Sequence, residues 1–142
     1  MNDFLSLLPL LIISSGAILL MLLAAFETSR LETAAYVSMG FFGVAFFVQM
    51  LVGCRPTTAL FADTFNGMLV AGPFTSAAGL IILACGFFTA MSSQTYFKQN
   101  TFCTPEFYSL TVFAASGMLL LTMAQELISV FIALEIMSLS IY

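Results

Sequence analysis

Apolar runs of bilayer length recur along this chain, and they decide what it can fold into. They cover about 4–26, 34–53, 67–91 and 105–124, and a fifth starts near 126 and continues to 142. A helix needs roughly 20 apolar residues to cross the hydrocarbon core, where every backbone N–H and C=O must be satisfied within its own segment. The runs are continuous, whereas the strands of a membrane barrel alternate over about ten residues. The sequence therefore predicts an all-α integral membrane protein with about five transmembrane helices. Composition agrees, because 61% of the 142 residues are hydrophobic and 7% are charged, against about 25% charged in soluble domains.

The breaks between runs are short and polar. Residues 27–33 hold Arg30 between Glu27 and Glu32. The longest break, 54–66, carries Arg55, Pro56 and Asp63, and its Leu60, Phe61 and Phe65 suggest a short amphipathic piece along the interface. A third break, 92–104, contains Lys98, and Gln125-Glu126 makes a very tight fourth. Pro9 falls in the first turns of its run, and Pro73 predicts a kink or a helix start near Gly72. Pro105 and Glu106 suit the first turn of a helix. All three basic residues lie in these breaks. Arg30 and Lys98 fall on one side and Arg55 on the other, so the positive-inside rule puts the N-terminus outside. The start, Met1-Asn2-Asp3, lacks the basic region of a cleaved leader, so the first run is expected to remain as a helix.

Small residues mark where helices should pack closely. Gly72, Ser76, Gly79, Leu83 and Gly86 share one helical face, Ala114-Ala115-Ser116-Gly117 forms a cluster, and Gly40 and Gly43 lie three apart. Cys85 falls in the middle of an apolar run and reads as a buried packing residue. Several chemistries are absent from the pattern. The chain has no His, its Cys54, Cys85 and Cys103 are too scattered for zinc, haem or iron–sulfur ligation, and no Gly-rich phosphate loop is present. A net charge of -4, spread thinly, gives no reason to expect nucleic acid as a partner; membrane lipid is the expected surround.

Glu135 breaks the last run. A carboxylate near the bilayer centre costs a few kcal/mol on insertion scales, so such residues are normally paired, protonated or turned to a polar cavity. Phe131, Ile132, Ser138, Leu139 and Tyr142 share its side of a helix, and Ser138 and Tyr142 would give that side a polar track. One reading is a protonatable site on a proton or ion path. The other is a carboxylic acid kept neutral by burial or hydrogen-bonded at a helix interface. Glu106 and Glu126 read more simply as carboxylates at helix starts.

The segments Pro105-Glu106-Phe107-Tyr108-Ser109-Leu110, Ala115-Ser116-Gly117-Met118-Leu119-Leu120 and Leu127-Ile128-Ser129-Val130-Phe131-Ile132-Ala133-Leu134-Glu135-Ile136-Met137-Ser138-Leu139-Ser140-Ile141-Tyr142 resemble the antiporter-like subunits of respiratory complex I. The resemblance is greatest to the subunit called N in bacteria and its mitochondrial counterpart. It is specific over 106–142; upstream it rests on run spacing and on Leu7-Leu8-Pro9-Leu10-Leu11-Ile12. Ser140 stands where the family usually has proline.

The resemblance implies the N-terminal part of a subunit with about fourteen helices, built around two inverted five-helix repeats. Residues 1–104 would be three N-terminal helices, and 105–142 the first two helices of a repeat, cut short. Glu135 would match the family's membrane-embedded glutamate, which pairs with a lysine on a later helix and serves proton translocation driven by quinone reduction. That lysine is not in this sequence, so the chain reads as a split-gene product, a truncated product or part of a longer sequence; the partners expected are other membrane-arm subunits of complex I and, in the split-gene reading, a separate chain supplying the remaining helices and the lysine. NADH, FMN, iron–sulfur clusters and quinone would sit in partner subunits, with no cofactor in this chain. The membrane would be the mitochondrial inner membrane or the bacterial plasma membrane. Alternatives are a structural assembly subunit without proton transfer, and an antiporter-like subunit of a related hydrogenase or cation/proton antiporter complex.

Overall fold

The computed structural model describes residues 2–26, 31–53, 62–64, 68–99 and 106–142. Five helices follow one another: α1 (Asn2–Phe26), α2 (Leu31–Gly53), α3 (Pro73–Gln99), α4 (Glu106–Met123) and α5 (Leu127–Ile141). Between α2 and α3 lie two short strands, β1 (Ala62–Thr64) and β2 (Leu69–Ala71), paired antiparallel with Asp63 opposite Val70. α1 to α4 are long and apolar enough to cross a membrane, and α5 is a shorter apolar helix.

The first four helices form a bundle in which α1 meets α2 and α4, while α3 closes the ring between α2 and α4. The chain runs alternately up and down. The start of α1 (Pro9, Leu10), the end of α2 (Gln49, Val52), the start of α3 (Gly72, Thr75, Ser76) and the end of α4 (Leu119, Thr122, Met123) all line one cavity. Buried positions recur every three or four residues, the spacing that keeps side chains on one helical face. They are Ile13, Ala17 and Leu20 on α1, Ala35, Phe42 and Ala45 on α2, Leu83 and Ala90 on α3, and Tyr108, Val112, Ala115 and Leu119 on α4. Among them, Phe42 fits against Gly86, whose missing side chain leaves room for the ring. The outer faces carry Ile18, Met21, Phe47, Ile81 and Phe88, as a lipid-facing surface requires.

Hydroxyls inside the helices turn back onto their own backbone. Ser38 donates to the Ala35 carbonyl at 2.8 Å, Thr111 to that of Phe107 at 2.8 Å and Ser116 to that of Phe113 at 2.7 Å. This satisfies polar groups without calling on another helix. At the far end of the bundle from the cavity, Phe97 stacks edge-on against Phe107 and Tyr108, joining the end of α3 to the start of α4.

Several expectations hold. α3 starts at Pro73, as its ring favours. The Gly72–Gly86 face does pack: Gly72, Gly79 and Leu83 are buried, and Gly86 abuts Phe42. Others need correction. Residues 69–71 read as the start of a membrane run, but they form β2, because pairing with 62–64 satisfies their backbone instead. A small antiparallel hairpin thus stands between α2 and α3. Residues 92–99, read as a connection, continue α3 for two further turns, and Lys98 sits within its last turn. Cys85 faces outward, not into the bundle. Gly40 and Gly43 meet nothing within 4 Å of an added Cβ, so no described helix approaches them. Leu60, Phe61, Phe65, Arg30 and Arg55 lie outside the described residues.

Candidate functional site

α5 leaves α4 through a turn held by the hairpin. Leu69 of β2 bridges to Ala124, and the Gln125 N–H donates to the Met68 carbonyl at 3.1 Å. Glu126 then takes an extended conformation (φ −102°, ψ 151°) as the residue before the helix, and its carbonyl accepts from the Val130 N–H at 3.0 Å. Its side chain makes no capping hydrogen bond. Glu126 and Glu106 both stand exposed at helix starts, where a carboxylate complements the positive end of the helix.

α5 packs against α4 through a close backbone approach. A Cβ added to Gly117 would stand 2.9 Å from the Met137 nitrogen and 3.0 Å from the Ala133 carbonyl oxygen. Ala133 is fully buried there. The small cluster at 114–117 therefore does the packing expected of it, with α5 as its partner.

That contact sets where Glu135 points. It lies two residues from both Ala133 and Met137, about 200° round the helix axis from each. Glu135 is accordingly on the exposed side of α5, and not buried among the described helices. It is the ninth residue of α5, about 12 Å along the axis from the first. Phe131, Ile132 and Leu139, one turn before and after, are exposed with it. Tyr142, seven residues on, falls within about 20° of the same line and is fully exposed. Ser138 is half-buried beside them, and its hydroxyl donates to the Glu135 main-chain carbonyl at 3.1 Å. Glu135, Ser138 and Tyr142 therefore share one outward side, as expected, but the Ser138 proton serves the backbone and not the carboxylate.

Chemically, this is a carboxyl group on an apolar helix face, able to take or give a proton and costly as an anion in hydrocarbon. The side chains of Arg30, Arg55 and Lys98 are outside the described residues. Among the described residues, no group of three His, Cys, Asp or Glu could hold a metal ion.

A second polar group lies elsewhere and was not singled out from sequence. Gln49 of α2 is 7% exposed, and its Nε2 donates to the Ser76 carbonyl at 3.4 Å. Thr75 donates to the Thr122 carbonyl at 3.1 Å, with the Val70 carbonyl at 3.4 Å. The signal was present, since Gln49 is a lone amide in an apolar run.

No family model matches the chain. Curated proteins do, along nearly all of it. It is 32% identical over 143 residues, 99% of the chain, to NADH-quinone oxidoreductase subunit N of Myxococcus xanthus. It is 33% identical over 141 residues, again 99% of the chain, to the subunit N of Leptospira interrogans, and 32% identical over 136 residues, 94% of the chain, to that of Chloroflexus aggregans. Each match takes up 27% of the relative, so the chain spans about a quarter of the length of the curated relatives it matches. A helical chain whose described residues include four helices long and apolar enough to cross a membrane, aligned along nearly all of its own length with these proteins, is similar to the N-terminal portion of NADH-quinone oxidoreductase subunit N.

Proposed function

We propose that this chain serves as the N-terminal portion of a membrane-arm subunit in a proton-translocating NADH:quinone oxidoreductase, and that Glu135 exchanges protons there. One observation carries the reading: a carboxylate at mid-helix on the outward side of α5, in a chain related to subunit N. A carboxyl group in that place has a strong energetic demand for a partner, and a lysine on a neighbouring helix would meet it. In this reading 1–104 contribute three lead-in helices, and 105–142 begin the proton-translocating repeat. Ser138 and Tyr142 flank the path. The partners are other membrane-arm subunits, with NADH, FMN, iron–sulfur clusters and quinone held by other subunits of the enzyme. The membrane is a bacterial plasma membrane or a mitochondrial inner membrane.

The test is Glu135→Gln in the assembled enzyme. The amide keeps size and hydrogen bonding but cannot exchange a proton. NADH-driven proton uptake by membrane vesicles is expected to fall on the order of a hundredfold, while the assembled complex remains intact on a native gel. Normal proton-to-electron stoichiometry in that variant would overturn the assignment of Glu135.

A further inference from the structure

The cavity at the hairpin end of the bundle is separate from α5. It has a volume of about 20 Å³, enclosed by the ends of α1, α2, α3 and α4. That is space for one water molecule, which also needs two to four polar partners. Apolar cavities of this kind stay dry, so the lining decides the matter. Here the lining includes Gln49, Thr75, Ser76 and Thr122, beside Pro9, Leu10 and Leu119.

Gln49 makes the case for a ligand. Its carboxamide offers two N–H donors and an oxygen with two acceptor sites. It is more than nine-tenths buried, yet among the described residues it makes one hydrogen bond, the long one to the Ser76 carbonyl at 3.4 Å. A buried amide left so little bonded is costly, because its lost hydration is not replaced. Gly79 clears the space the amide occupies, since a Cβ there would stand 3.0 Å from Gln49 Nε2. Thr75 supplies a second partner. Its single proton goes to the Thr122 carbonyl at 3.1 Å, which leaves the hydroxyl oxygen able to accept.

We infer that this cavity is a binding site for one ordered water, bridging the Gln49 carboxamide to the Thr75 hydroxyl. The water accepts from the second Gln49 N–H or donates to its oxygen, and donates to Thr75 Oγ1. It thereby joins α2 to α3, and through the Thr75–Thr122 bond to α4, at the depth where the helices emerge toward the hairpin.

The experiment is a structure of the chain in its native assembly, in lipid nanodiscs, at a resolution that shows waters, for the wild type and for Thr75→Val and Gln49→Leu. The wild type is expected to show a density peak about 3 Å from both Gln49 and Thr75. The peak is expected to weaken in Thr75→Val and to vanish in Gln49→Leu. A clear map with ordered side chains and no peak in the wild type overturns the inference, as does a peak that survives unchanged in both variants. If Gln49→Leu fails to assemble, the wild type still decides by magnetisation transfer: a cross-peak between the Gln49 side-chain amide and a long-lived water supports the site, and its absence sinks it.

Discussion

In the α1–α4 bundle, the buried hydroxyls bond to backbone carbonyls; on α5 the one carboxylate turns out. Ser38, Thr75, Ser109 and Ser116 are buried and bonded within the bundle, each to a backbone carbonyl. Glu135 has no such accommodation, and its face of α5 is otherwise Phe131, Ile132 and Leu139. The two regions also differ in how they are held. Each bundle helix touches at least two others, whereas α5 packs chiefly on α4. The difference teaches where to look for function. Groups whose demands are met internally stabilise and position; a group whose demand is unmet within the described residues points to a neighbour.

This contrast can be broken. Phe42→Ala should be the most damaging change to stability. The ring is fully buried against Gly86 and its loss leaves a void, so a loss of about 3 kcal/mol is expected for the purified protein in mild detergent. A loss under about 1 kcal/mol would mean the bundle collapses into the space and is less rigid than its packing implies. Gly117→Ala comes next, at about 1–3 kcal/mol, because the new methyl meets backbone atoms that cannot turn aside. Its effect should be local. Hydrogen exchange is expected to rise across α5 while α1 to α3 stay protected. Equal loss of protection throughout would show that α5 is integral to the bundle and would erase the distinction. Gly43→Ala is the control. The site is open to an added Cβ, so stability should change by less than about 0.5 kcal/mol. A larger loss in the assembled enzyme than in the isolated chain would locate a partner helix on that face of α2.

Much of this was legible beforehand because bilayer physics leaves few choices. A continuous apolar run must be a helix, Pro73 sets a start, and the small residues at 79, 86 and 117 sit where helices meet. What could not be read depends on distant contacts or on direction. Leu69, Val70 and Ala71 look like membrane residues, and only their pairing with 62–64 makes them a strand. Ser92, Ser93 and Gln94 look like a loop, yet a helix needs no apolar side chains once it has left the hydrocarbon, so α3 runs on. Cys85 and Gly40 read as interface residues, because composition alone does not say which side of a helix faces a neighbour. Glu135 was legible as an anomaly, but its outward direction followed only from the contact of Ala133 and Met137 with Gly117.

The hydrogen bond from Gln125 to Met68 and the bridge from Leu69 to Ala124 have a mechanical consequence. They fasten the first residues before α5 to the strand that leads directly into α3. A piston-like shift or tilt of α5, should a charge at Glu135 come and go, cannot leave this anchorage undisturbed. It would pull on the hairpin about 12 Å along the helix axis, where a spin label or fluorophore can be attached. The hairpin is thus a natural gauge for motion of α5.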